Sequence, residues 1–236
     1  MPIINTTLGG FILLLFSVLA NGSVVVQGTR VIFPDNKTIM GIQIINNSDQ
    51  PSLVQSWIDD GDINSTPETT NAPFIVIPPI TKIKANDGTQ LRIQFIGKKL
   101  PDDRESIFYL NILDISPKPK NNVNGNFLQL ALQTRLKLLY RPMGLTLTSD
   151  NALNEVKFFQ SEQWLIAMNP TPYFVTLSKL YFEVQNNNPL LENIMIAPFS
   201  QIQVQHQDNI STSNELIAIY INDMGNHIRY KTTLKK

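Results

Sequence analysis

Residues 127–141, FLQLALQTRLKLLYR, constrain the fold more than any other stretch of the chain. Leu128, Leu130, Leu132, Leu136 and Leu138 fall on alternate positions, with Gln129, Ala131, Gln133, Arg135 and Lys137 between them. A period of two gives a strand one apolar face and one mostly polar face, whereas a helix would scatter these leucines around its girth. At about 3.3 Å per residue the run extends roughly 45 Å, far beyond the usual strand of about five or six residues. Pro142 follows, and a residue with no amide hydrogen suits a strand's end. Two readings fit this segment alone. It is a long core strand of a β domain, or an edge strand whose leucines are partly left for a partner.

The chain's 236 residues make one large domain or two ordinary ones. Apolar residues are 42 %, enough for real cores, and charged residues only 16 % with a formal net charge of zero. There is no basic excess of the kind that binds nucleic acid. Fifteen prolines, with many Asn, Gln, Thr, Val and Ile, favour strands and turns over helices. No cysteine is present, so burial and hydrogen bonding alone must hold the fold.

Leu8–Ala20, LGGFILLLFSVLA, is almost wholly apolar. It is shorter than the roughly 20 residues of a membrane span and has the length of a signal-peptide core. Ala20 and Gly22 supply the small residues a signal peptidase reads, which places the cut before Ser23, with a cut after Ala20 as the alternative. The usual positive leader end is missing, since Met1–Leu8 has no Lys or Arg. The expectation is an exported protein with no membrane insertion once residues 1–22 are gone.

Short strands separated by turns then fill the chain. Ser23–Phe33, Thr38–Ile45, Leu53–Ile58, Phe74–Ile77, Leu91–Ile96, Ile107–Ile115 and the long run make seven, with turn residues at Pro34-Asp35-Asn36, Asn46–Asp49 and Asp87-Gly88. That spacing is the one expected of a Greek-key sandwich. After Arg141-Pro142-Met143-Gly144 the rhythm begins again, with candidates at Leu145–Leu147, Val156–Phe159, Trp164–Met168, Tyr173–Phe182, Ile194–Ile196, Gln201–Val204, Leu216–Ile221 and His227–Lys231. The fold class expected is all-β with two domains, residues 23–143 and 144–236.

Signatures of catalysis are scarce. The chain has no G-x-S-x-G, no G-x-G-x-x-G and no P-loop. His206 and His227 have no partner nearby in sequence. Asp60–Asn71 opens like a calcium loop but has Ser65 where the loop needs glycine and Asn71 where it needs glutamate, so it reads as a solvated loop and no metal or cofactor is expected. What remains are charges in strand settings: Arg30, Glu105, Lys137 and Arg141. Taken singly each covers its own sheet. Together, cations near a two-domain junction form a potential anion site, strengthened by partial desolvation.

Several segments together resemble the periplasmic chaperones of the chaperone–usher pathway, the PapD-like proteins that assemble bacterial pili. They are GTRVIFP (28–34), the Trp57 strand, PPI (78–80), LPDDRESIFYLNI (100–112), LQLALQTRLKLLYRP (128–142), NPTPYFVTL (169–177) and INDMG (221–225). They occur in family order across nearly the whole chain after the leader. The resemblance implies two immunoglobulin-like sandwiches set in a boomerang. It also implies a non-enzymatic mechanism: the chaperone lends its last strand to a pilus subunit that lacks one, then passes the subunit to an outer-membrane usher. Leu128, Leu130 and Leu132 match the donor residues. Arg30 and Lys137 match the pair that anchors the subunit's terminal carboxylate. Glu105, Arg141 and Asp223 match the interdomain salt-bridge set. The modest loop 116–126 and the lack of cysteine favour the short-loop type. Strict alternation turns Lys137 away from the donor leucines, so twist or a bulge is expected to reconcile them. An alternative function on the same composition is a secreted two-domain adhesin or pilus subunit, which should lack the Arg30/Lys137 pair.

N-terminal sequencing of the exported protein should begin at Ser23. A pool retaining Met1 in the cytoplasm would contradict the expected export.

Overall fold

The computed structural model describes residues 23–97, 99–118, 129–161, 163–184, 189–205 and 214–235. The expected leader, Leu128 and His206 lie outside these.

The first domain is a sandwich of two sheets. One contains β1 (Val24–Val26), β3 (Ile39–Asn46), β7 (Asp87–Phe95) and β5 (Phe74–Ile77), in the order β1-β3-β7-β5. The other contains β2 (Arg30–Pro34), β9 (Ala131–Arg141), β8 (Ser106–Ile115), β4 (Ser52–Asp59) and β6 (Ile80–Ile83), in the order β2-β9-β8-β4-β6. Alternate residues of both sheets meet in one core, where Phe33, Ile44, Val54, Leu91, Ile93, Leu110 and Leu138 are fully excluded from water. Phe74 sits edge-on to Phe33 and Phe108, with ring centroids 5.3 and 5.0 Å away, a favoured aromatic geometry.

Two details depart from the sequence reading. The run Ser23–Phe33 is not one strand. Gly28, at φ +95°, turns the chain, so that β1 pairs with β3 in one sheet and β2 pairs with β9 in the other. Ile80–Ile83 is an additional strand directly after Pro78-Pro79, paired with Ser52–Gln55. Four residues behind two prolines carry too little periodicity to reveal it.

The second domain is joined through a stretch expected as a strand, Leu145–Leu147, which is irregular instead. Pro142 removes a ladder donor and Gly144, at φ +86°, breaks the extended path. A four-residue helix, α1 (Ser149–Ala152), follows, capped by the Thr148 side chain. The strands are then β10 (Lys157–Ser161), β11 (Trp164–Asn169), β12 (Val175–Phe182), β13 (Leu191–Ile196), β14 (Ser200–Gln205), β15 (Glu215–Ile221) and β16 (His227–Lys235). β13-β12-β15-β16 forms one layer and β10-β11-β14 the other, linked by a short parallel contact of Phe158 and Phe159 with Leu234 and Lys235. Phe158, Val175, Leu177, Ile196 and Tyr220 fill this second core. The chain is thus an all-β protein of two sandwiches with separate cores.

The domains touch where the β15–β16 turn meets the start of β2. Gly225 closes that turn at φ +83°, donating its amide to the Asn222 carbonyl at 2.9 Å. A Cβ at Gly225 would lie 2.5 Å from Thr29 Oγ1 and 3.3 Å from Thr29 Cγ2. Gly225→Ala therefore meets two penalties: a left-handed backbone, about 1–2 kcal/mol, and collision with Thr29. Thermal unfolding should show a lowered Tm. The double variant Gly225→Ala/Thr29→Ala should recover only the collision part. Full recovery would show that the backbone penalty is absent, and no loss in the single variant would show that neither penalty exists.

Candidate anion and strand-docking site

The long strand β9 is paired along its whole length on one side only. Against β8 it runs in unbroken register from Ala131↔Ile115 to Tyr140↔Ser106. Against β2 only Lys137–Arg141 are paired, opposite Arg30–Pro34. Among the described residues, 131–136 therefore present a free edge. Leu136, Leu138 and Tyr140 point into the core at 0–8 % exposure, while Leu132, of the same parity, is 53 % exposed. Leu130, just before the strand, is 62 % exposed. Apolar residues left in water beside an open strand edge are the signature of a docking surface.

The unbroken register shows that no bulge separates Lys137 from the leucines. Lys137 faces the second domain from the other side of the sheet, and its Nζ donates to Thr176 Oγ1 at 3.2 Å. Its direct cross-strand neighbour is Arg30, which donates from Nη1 to the Ile221 carbonyl at 3.2 Å. Arg30 Nε is buried with no partner among the described residues. Burial lowers the pKa of both groups, and for Lys137 the Arg30 charge adds to that. Asp223 and Glu105 pull Arg30 the other way through space. Neither cation forms an ion pair of its own among the described residues. Two half-buried cations side by side, with an unused guanidinium donor, are poised for a carboxylate.

Next to them stands a fully paired set. The Arg141 guanidinium donates to Glu105 Oε1 at 2.7 Å and to both oxygens of Asp223 at 2.7 and 2.9 Å. Glu105 Oε2 accepts the Phe174 amide at 2.7 Å, and Ser149 Oγ donates to Asp223 at 2.7 Å. Glu105 and Arg141 belong to the first domain and Asp223 to the second, so the network spans the junction. Burial pushes the Glu105 carboxyl up, and Arg141 and the Phe174 amide pull it part of the way back. For Asp223 burial acts the same way but the Arg141 bonds outweigh it, so its carboxyl lies below the usual range. The Arg141 pKa is raised despite burial, by its two carboxylates.

A second charged cluster escaped the sequence reading. Arg135 grips Asp59 with Nε at 3.0 Å and Nη2 at 2.5 Å. Asp59, 1 % exposed, also accepts from Asn111 Nδ2 at 2.6 Å and the Gly61 amide at 2.8 Å. Burial raises its carboxyl, but these bonds together hold it below the usual range. Asp59 looked like the first residue of a polar loop; its spacing of two from Trp57 was the only hint that it continues the strand. His227 is exposed, and no group of metal-ligating side chains occurs among the described residues.

Residues 23–146 match the family described as the pili and flagellar-assembly chaperone PapD N-terminal domain, and residues 151–232 match the PapD C-terminal domain of pili-assembly chaperones. The chain belongs to the pilus-assembly chaperones. It is a non-enzymatic assembly protein, and the alternative of an adhesin or pilus subunit is set aside. The chaperone protein HifB of Haemophilus influenzae is 40 % identical over 210 residues, covering 87 % of this chain and 86 % of that one. The probable fimbrial chaperone YehC of Escherichia coli K12 is 39 % identical over 224 residues, covering 93 % and 91 %. The crystal structure of the YadV chaperone superposes with a TM-score of 0.76 at 33 % identity, covering 90 % of this chain and all of that one. These chaperones share the boomerang of immunoglobulin-like domains expected from the sequence.

Arg141→Ala leaves Glu105 buried without its cation. Removing one member of a buried pair costs about 3–5 kcal/mol. Urea unfolding should register that loss, and small-angle scattering should show a changed interdomain angle. Unchanged stability and shape would mean the network does not hold the junction.

Proposed function

We propose that the protein captures pilus subunits in the periplasm by strand addition and presents them to an outer-membrane usher. Residues 1–22 are removed as a signal peptide, leaving domains 23–143 and 144–236. The free edge of β9 supplies main-chain hydrogen bonds to an incomplete subunit sandwich. Leu128, Leu130 and Leu132 fill the groove where the missing strand belongs. Arg30 and Lys137 hold the subunit's terminal carboxylate, and Glu105, Arg141 and Asp223 fix the angle between the domains around it. The observation that carries this reading is one strand that joins an open apolar edge to an unpaired cation pair. Leu132 and Lys137 are five residues apart, about 16 Å along a strand. A subunit strand whose carboxylate sits at the cations therefore lies along the leucines. The fold similarity to a chain from the Salmonella enterica complex of SafA pilin with the SafB chaperone, TM-score 0.77 at 25 % identity over 92 % of this chain and 99 % of that one, favours pilin as the class of client.

The test is a binding titration against the C-terminal peptide of a candidate subunit, as free acid and as amide. Leu130→Glu should stay folded by circular dichroism yet lose binding, because Leu130 stands outside the core. Arg30→Ala and Lys137→Ala should each weaken the free acid by about tenfold to a hundredfold, the worth of a charge-assisted bond of roughly 1.5–3 kcal/mol. The double variant should cost less than the sum of the singles. Amidation should mimic them and add little on top. Binding should also fall as pH rises. A bound carboxylate raises the Lys137 pKa, and in the free protein that pKa lies below its usual value, so affinity is full below the free-state pKa and declines as pH passes it. That decline should vanish in Lys137→Met. Indifference to amidation in the wild type would mean these cations serve only their own sheet.

A further inference from the structure

The exposed half of β9 raises a physical problem that its own ladder does not solve. From Ala131 to Leu136 the strand ladder runs to β8 alone among the described residues. Leu130 and Leu132 gain little from the first domain's core. A segment with one ladder and few apolar contacts is the kind that opens first. The opposite face carries the remedy. Arg135 reaches from β9 across β8 to Asp59 on β4, and its guanidinium carbon lies 3.7 Å from the centroid of the Tyr109 ring. Gln133 Nε2 donates to Asn111 Oδ1 at 2.9 Å, and Asn111 donates onward to Asp59. Two successive residues of the free segment on that face are thus tied into a network spanning three strands. The buried carboxylate at its centre has four donors. Such a network gives little net stability over an apolar replacement, so what it supplies is one fixed geometry.

We propose that Asp59, Asn111, Gln133 and Arg135 form a brace that holds the free edge of β9 in register before a subunit arrives. Binding then does not have to order the edge, and preorganisation of this kind raises affinity without adding a contact. The inference rests on residues 131–136 being the docking edge. It makes Arg135 and Asp59 positioning residues that touch no part of the client.

Two variants test it in the full mature chain. Arg135→Lys keeps the charge and loses the fork. Gln133→Ala removes an exposed side chain and its bond to Asn111 while leaving the Arg135–Asp59 grip in place. Hydrogen exchange in the free protein should speed up across 131–136 in both variants and stay as in the wild type in 31–33 and 91–93. The binding probe is a synthetic ten-residue peptide of alternating valine and threonine, as free acid and as amide. Both variants should bind the acid more slowly and roughly two- to tenfold more weakly, while the factor lost on amidation stays that of the wild type. Unchanged exchange in 131–136 overturns the brace. So does faster exchange spread equally over the core strands, which would mark the network as ordinary support for the domain. A wild type that ignores amidation overturns the docking reading instead. The two failures are told apart because the exchange measurement uses no ligand.

Discussion

β9 outruns β2, and the first domain is organised by that mismatch. Five residues of β2 cover the last five of β9, and six residues of β9 are left with one bare edge. Closed along its whole length, the sandwich would bury Leu132 as it buries Leu138. The shortfall arises at Gly28, where the chain leaves one sheet to join the other. Only after that crossing does β2 begin, and its first residue is Arg30. One backbone turn therefore fixes both where the open edge stops and where the cation pair stands.

The interdomain network is the complement of this arrangement. Arg141 follows Lys137 by one turn of the alternation beyond Leu139, on the same face of β9. Its charge is fully met by Glu105 and Asp223, while that of Arg30 and Lys137 is not. The distinction decides their uses. A cation gripping one buried and one half-buried carboxylate is already spent on structure, and separating it from the buried one costs several kcal/mol. Cations depressed by burial, with a donor unmet, gain from an incoming anion. Four cationic side chains on alternate positions of neighbouring strands are sorted into roles by the acids that fold beside them. Arg135 belongs to the first kind, through Asp59.

Much of this was legible in the residues. The leucine alternation gave the strand and its two faces, although β9 is confined to Ala131–Arg141, with 129 and 130 irregular and 127–128 outside the described residues, and turn residues gave the two blocks. The family motifs gave Arg30, Lys137, Glu105, Arg141 and Asp223, and the structure brings all five to the junction. Features set by tertiary pairing were not legible. The split of Ser23–Phe33 depends on which sheet each half meets, and only Gly28 hints at it. Ile80–Ile83 is too short to show a period. Leu145–Leu147 has strand propensity that Pro142 and Gly144 override. Asp59 carries the turn propensity of its residue type, and its place on the strand comes from Arg135, 76 residues away. Position in sequence cannot give an interaction whose partner is that remote. The supposed conflict between Lys137 and the leucines came from assuming that a donor and an anchor must share a face. In the proposed mode they need not, because one would meet the client's groove and the other its terminus.

An exposed strand edge with leucines beside it is an aggregation hazard, and the chain has no disulfide to restrain it. In the proposed mode the hazard is contained by the geometry of the cations. A strand that pairs with β9 and runs on towards Lys137 reaches two half-buried positive charges. If it ends there in a carboxylate, both charges are met. If it continues as ordinary chain, it covers them without an anion and adds to the desolvation that already lowers the pKa of both. The apolar edge is indifferent to which strand it takes, since alternating side chains are common. Discrimination comes from the repulsive term at the closed end, as specificity often does. In that mode Arg30 and Lys137 would have two consequences from one charge pattern: they would attract the correct terminus and penalise internal strands, including a second copy of the chain's own β9.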